Sequence, residues 1–242
     1  MNFNPLDQFK IVKIFAIDLL GFDISITNSS LSMTLICTMI VLYYYFAFKN
    51  IKLIPSRVQA SAELIIDAIN SMIEQNTSTK GEKFFPLIFT LFIFVLGCNL
   101  FGMLPYSFTV TSHISITFMM STIFFVIITI YSIITNKLNF IFIFVPKNIP
   151  RWMIPIMVII ELFSFLSKPI ILCLRLTINM IAGHIILKIL ALSVVAVSLY
   201  LKPLPIFLTS ILIGFEIFIS ILQAYIFSIL SCVYLGHIID TH

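Results

Sequence analysis

Apolar residues run through this chain in long blocks, and the polar residues between them are sparse enough to act as punctuation. A bilayer core about 30 Å thick needs roughly 20 apolar residues in a helix, so each block can be measured against that length. Leu31 to Phe48 makes a first span, ending in the basic stretch of Lys49, Lys52 and Arg57. From Pro55 to Gln75 the rhythm changes: Val58, Leu64, Ile65, Ile69, Met72 and Ile73 recur near helical spacing, with Glu63, Asp67, Asn70 and Glu74 between them. That pattern predicts an amphipathic helix, lying on the membrane surface or against a neighbouring helix. After the polar connector NTSTKGEK, Phe84 to Leu104 forms a second span and Ile114 to Thr135 a third, joined by the uncharged loop PYSFTVTSHI. Residues 1–30 precede these as an N-terminal segment.

The last two blocks do not fit the ruler. Hydrophobicity continues without a real gap from Met153 to Leu201, and again from Pro203 to Leu235. At 1.5 Å per residue the second block alone would make a helix of roughly 50 Å. Either each block breaks and re-enters, or each tilts beyond the roughly 40° usual limit. Pro169 marks a candidate kink. Hydropathy leaves both readings open.

Composition turns these blocks into a class. With 60% hydrophobic and 10% charged residues and a mean hydropathy of +1.14, the chain is an all-α integral membrane protein, read as a single membrane domain with about five crossings and one amphipathic surface helix. The first fifteen residues mix Asp7 with Lys10 and Lys13 and offer no clean cleavage site, so the N-terminus is expected to be retained. Cys37, Cys98, Cys173 and Cys232 lie far apart within or beside apolar blocks and read as small core residues, not as zinc ligands. The net charge of +4 is spread along the chain, which argues against a nucleic-acid face. It reports topology instead. Counting the two long blocks as one crossing each, Lys49, Lys52, Arg57, Lys80, Lys83, Lys137, Lys147 and Arg151 share one side, and Lys10, Lys13 and Lys202 the other. The positive-inside rule then predicts the N-terminus outside and the C-terminus inside.

Ionisable groups at membrane depth cost about 2.5–3.5 kcal/mol each, so each needs a reason. The last third holds Glu161, Lys168, Arg175, His184, Lys188 and Glu216, with Asn179 and Gln223 beside them. Arginine keeps its proton at any reachable pH, so Arg175 can act only as a fixed positive charge. Glu161, His184 and Glu216 can bind and release protons. Asn179 follows Arg175 by one turn on the same face, whereas His184, nine residues on, points about 180° away. Glu161 precedes Arg175 by about 21 Å on nearly the same face. Glu216 and Gln223, seven apart, share one stripe. This layout suggests two separate aqueous pockets, Glu161 towards the inside and His184 with Glu216 towards the outside, with Arg175 between them.

Plainer readings stand beside this one. A membrane glutamate can simply be a hydrogen-bonded structural partner between helices. An Arg175 ion pair with Glu216 or Glu161 would only fix packing. Lys168 and Lys188 are expected to snorkel, His113 to be interfacial, and His242 to be a frayed terminus. Rival functions are a self-contained proton-coupled transporter, an intramembrane hydrolase and a structural scaffold. The first would predict an internal repeat with paired broken helices, and none is found. The second lacks HExxH or paired aspartates. There is also no GxxxxGK[ST] motif, so ATP chemistry would belong to a partner.

The segments ELFSFLSKPIILCLRLTINMIAGHIILK, GFEIFISILQAYIFSILSCVYL and NLFGMLPYSFTVTSH, with the N-terminal NPLDQF, make the chain strongly resemble subunit a of F-type ATP synthases. AGH and PYSFTVTSH resemble the alphaproteobacterial and mitochondrial branch. The resemblance implies a non-catalytic, proton-translocating stator, with no cofactor. Its partners would be the c-ring rotor subunits, the peripheral-stalk subunit b and membrane lipid, in a bacterial plasma membrane or mitochondrial inner membrane. It implies that Arg175 faces the rotor carboxylates, with Asn179 and Gln223 near it. His184 and Glu216 would line the outer half-channel and Glu161 the inner one, and the last two crossings would form a long, steeply tilted hairpin beside the ring. Two departures stand out. Lys168-Pro169 replaces a more usual Arg-Pro, and His237 stands near where relatives carry an exit-side aspartate, for which Asp240 is the candidate substitute.

Overall fold

A computed structural model describes residues 10–15, 18–19, 22–23, 25–77, 79–104, 107–136 and 153–239. Lys80 and His237 are described in backbone only, and Lys137, Lys147, Arg151, Asp240 and His242 lie outside the described residues. The predicted N-terminal segment contains two short antiparallel pairs. Strand β1 (Lys13–Phe15) pairs with β4 (Ile26–Thr27), and β2 (Asp18–Leu19) with β3 (Phe22–Asp23), one pair nested within the other. Alternating apolar and polar residues over so short a stretch give little strand signal, so sequence did not reveal them. Asn28 ties this hairpin to the first helix, accepting from the Val12 N–H at 3.2 Å and donating to the Lys10 carbonyl at 3.1 Å.

Helix α1 (Asn28–Phe48) starts three residues before the predicted span, because Thr27 and Ser30 form a capping box that satisfies its first amides. Helix α2 (Arg57–Asn76) is the amphipathic element. Gln59, Ala62, Ile69, Met72 and Ile73 are buried along one face, which packs against the bundle. Helix α3 (Phe85–Gly102) sits deepest, with Ile88, Leu91, Phe92, Val95, Cys98 and Asn99 all buried. Helix α4 (Ile114–Asn136) follows a single 3-10 turn at Val110–Ser112.

The two long apolar blocks are each one continuous helix: α5 (Ile154–Ala196, 43 residues) and α6 (Pro203–Ile239, 37 residues). They neither break nor re-enter. Pro169 lies inside α5 without ending it, and the Ser121 hydroxyl of α4 donates to the Pro169 carbonyl at 3.1 Å, tying the two helices together at that point. At 1.5 Å per residue the helices extend about 65 and 55 Å, well past the hydrocarbon thickness.

Among the described residues, five helices are long and apolar enough to cross a membrane: α1, α3 with the turn before it, α4, α5 and α6. An apolar groove of about 800 Å³ runs between α1, α3 and α4, walled by Cys37, Ile40, Phe94, Met119 and Ile123 among others. Helices α4 and α5 are stitched by polar contacts as well as apolar ones. The Thr117 hydroxyl lies 2.7 Å from that of Thr177 and 3.2 Å from the Cys173 thiol.

Candidate functional site

Helices α5 and α6 run antiparallel. His184 meets Glu216, Met180 meets Ser220 and Lys168 meets Tyr234, each pair lower on α5 as it is later on α6. This register puts Arg175 level with the turn of α6 that holds Gln223, so residues far apart in the chain share one depth.

At one end of that register, His184 Nε2 and Glu216 Oε1 approach to 3.8 Å, with both residues buried. The neighbour that permits this is Gly183. A Cβ built there would stand 2.5 Å from Glu216 Oε1 and 2.8 Å from its carboxyl carbon, so glycine is what leaves room for the carboxylate. Neither Glu216 oxygen has a hydrogen-bond partner among the described residues. A buried carboxylate in that condition needs water, a proton or a cation. It borders a cavity of about 180 Å³, walled also by Asn179, Ala182, Gly183, Leu212, Phe215 and Ile219. At about 30 Å³ per molecule that space accommodates several waters. Among the described residues no hydrogen bond from Arg175 reaches Glu216.

Asn179 therefore connects two features: it walls the Glu216 cavity and it stands one turn from Arg175. Arg175 is half-buried, at the border between the packed face of α5 (Leu172, Cys173, Leu176, Thr177, Met180) and its exposed apolar face (Ile171, Leu174, Ile178). Gln223 is buried on the α6 stripe that carries Glu216 and Ser220.

Glu161 is not brought to this cluster. It lies half-buried near the start of α5, roughly 35 Å along the axis from His184. Between it and Arg175 stands Lys168, spaced seven residues from each. Its ammonium lies among aromatic rings. It lies 4.8 Å from the Tyr234 ring of α6 and 5.7 Å from the Phe165 ring of its own helix, and Phe165 in turn rests on Phe125 of α4 at 4.5 Å. His113, in the turn before α4, stacks on Phe108 at 5.0 Å, and burial holds its imidazole below the usual histidine range.

Two neighbours of the site escaped sequence reading. Asn99, fully buried in α3, donates from Nδ2 to the Ser220 carbonyl at 3.2 Å, one turn from Glu216. Ser220 also donates to the Met180 sulfur at 3.8 Å. A lone asparagine inside an apolar span was the available signal. Gly183 carried none, since glycine within a helix announces itself only by what it lets in.

Among the described residues, five helices long and apolar enough to cross a membrane, with a buried histidine and glutamate facing each other between the two longest, define an all-α integral membrane protein with ionisable groups packed between its helices. The match to known families agrees: residues 30–236 match the family described as ATP synthase A chain. The chain belongs to that family, and is thus a proton-channel subunit of an F-type ATP synthase, integral to the membrane.

Proposed function

We propose that the chain is the stationary half of a proton turnstile, offering two offset aqueous routes that meet only through a rotating ring of carboxylate-bearing subunits. His184 and Glu216 serve the route to the outside, Glu161 the route to the inside, with His237 and Asp240 as further candidates for that exit. The ring packs against the exposed apolar face of α5 and α6, at whose edge Arg175 stands. The observation that carries this reading is the Glu216 carboxylate: buried, without a hydrogen-bond donor, and opening on a cavity that reaches Asn179, one turn from Arg175.

The physics is short. A fixed guanidinium about 4 Å from an ionised carboxylate, at an effective dielectric near 20, contributes roughly 4 kcal/mol, about a thousandfold in favour of the ionised form. A rotor carboxylate must therefore give up its proton to the inner route before passing Arg175, and it gains another from the outer route afterwards. The same cation repels protons that would cross directly between pockets. A membrane potential of 100 mV adds about 2.3 kcal/mol for each charge carried across.

Orientation follows from the basic residues, with the N-terminus outside and the C-terminus in the matrix or cytoplasm of an inner or plasma membrane. The ring and peripheral-stalk subunit b are the protein partners. Proton flux in vesicles holding the whole complex tests the reading. With Arg175→Ala, ATP-driven pumping is expected to fall to background while the complex stays assembled; pumping at the normal rate would reject it and favour a scaffold.

A further inference from the structure

From the end of α1 to the first residue of α2 runs a nine-residue segment, KNIKLIPSR, from Lys49 to Arg57. Every residue in it is exposed, and three are large and apolar: Ile51 at 72%, Leu53 at 105% and Ile54 at 86% of full exposure. No other described large apolar residue is as exposed as Leu53. In water such a display would be costly and would invite association. Here it follows directly on a helix apolar enough to cross the membrane, which places it at the level where hydrocarbon gives way to headgroups.

The segment is also held in shape. Gln59, only 2% exposed, accepts from the Lys52 N–H at 3.3 Å through its side-chain carbonyl and donates to the Lys52 carbonyl at 3.2 Å. Its amide further donates to Glu63 at 2.8 Å, and the Ser56 hydroxyl caps α2 by accepting from the Gln59 N–H. One buried amide thus clamps the backbone of the loop, leaving Leu53 and Ile54 presented outward. Around them stand Lys49, Lys52 and Arg57, with no acidic residue from Lys49 through Ala62. Lys49 lies over the exposed Tyr45 ring at 5.9 Å, at the last turn of α1. Apolar tips flanked by cations, next to a span, match an anionic membrane surface: the tips enter the acyl region while the cations meet phosphate.

We propose that residues 49–57 form a docking site for an anionic phospholipid, with Ile51, Leu53 and Ile54 inserted in the leaflet and Lys49, Lys52 and Arg57 holding the headgroup phosphate. An acidic protein surface is the competing occupant; it would satisfy the cations but leave Leu53 and Ile54 to be covered by a matching apolar patch.

Native mass spectrometry of the whole complex separates the two. Complex released from nanodiscs of phosphatidylcholine containing a minority of phosphatidylglycerol is expected to retain at least one more phosphatidylglycerol than the K49Q/K52Q/R57Q variant, with every subunit still present. K52R should retain the lipid. L53S/I54S should hold it at low salt and lose it at high salt, where wild type keeps it. Equal phosphatidylglycerol in wild type and the triple variant would overturn the proposal. So would loss of a neighbouring subunit at unchanged lipid count, which would assign the surface to a protein partner.

Discussion

The pocket that holds His184 and Glu216 and the stretch of α5 that holds Glu161 and Lys168 treat their ionisable residues in opposite ways. Beyond Arg175 towards the C-terminus, His184 and Glu216 are buried, a glycine has been cleared for the carboxylate, and the cavity beside it is small. On the N-terminal side, Glu161 and Lys168 are half-exposed, and the lysine ammonium lies over two aromatic rings. A carboxylate in a tight pocket depends on geometry at the level of an ångström, whereas one at an open edge can be served by water from several directions. The first region should therefore be sensitive to single-atom changes, and the second tolerant of them.

The largest effect that would sharpen this contrast is expected from Glu216→Gln. It preserves shape and removes the ionisable group, so ATP-driven proton pumping in vesicles should fall by about two orders of magnitude. Pumping within a factor of two of wild type would place the proton route elsewhere. Next comes Gly183→Val, which brings side-chain atoms to where a Cβ alone would stand 2.5 Å from Glu216 Oε1. Displacing the carboxylate by about 1 Å should cost roughly ten- to a hundredfold in flux. Combining it with Glu216→Asp, which withdraws the carboxyl by one methylene, should recover part of that loss. A double variant as poor as Gly183→Val alone would show that the glycine acts on helix packing and not on the acid.

Sequence foretold these regions unequally, for physical reasons. Each apolar block read from hydropathy falls on a long apolar helix among the described residues, since burial in lipid demands long apolar runs whatever the tertiary contacts. It could not show that α5 and α6 are unbroken, because a tilted helix and a re-entrant one have the same composition. The polar residues at membrane depth were visible for the same reason: each is expensive there. Which of them meet was not visible. His184 and Glu216 are 32 positions apart and are joined by the antiparallel register of two helices, which periodicity within either helix does not encode. The ring contacts of Lys168 were hidden for a related reason. Beside a proline it read as a lysine free to snorkel, and the rings that hold it come from Phe165 and from Tyr234 on another helix.

On the open side, Glu161→Gln is expected to lower pumping by less than about tenfold, since water and neighbouring polar groups can still carry a proton at a half-exposed edge. A loss matching that of Glu216→Gln would break the comparison between the two regions. Both measurements belong in the same vesicle preparation, normalised to the amount of assembled complex.

The smallest effect concerns the aromatic hold on Lys168. A ring 4.8 Å from an ammonium contributes about 0.5–2 kcal/mol, depending on how far the pair is withdrawn from water. Tyr234→Phe keeps the ring and should leave thermal stability in detergent nearly unchanged, whereas Tyr234→Leu removes it and should destabilise the packing of α6 on α5 by about 1 kcal/mol. The loss should shrink when Lys168→Met is already present, because the cation that made the ring valuable is gone. If Tyr234→Leu costs the same with and without Lys168, the ring stabilises by apolar packing alone. The lysine would then owe its position to something other than the rings, and the contrast between a carboxylate-centred pocket and an aromatic-held stretch would lose its second member.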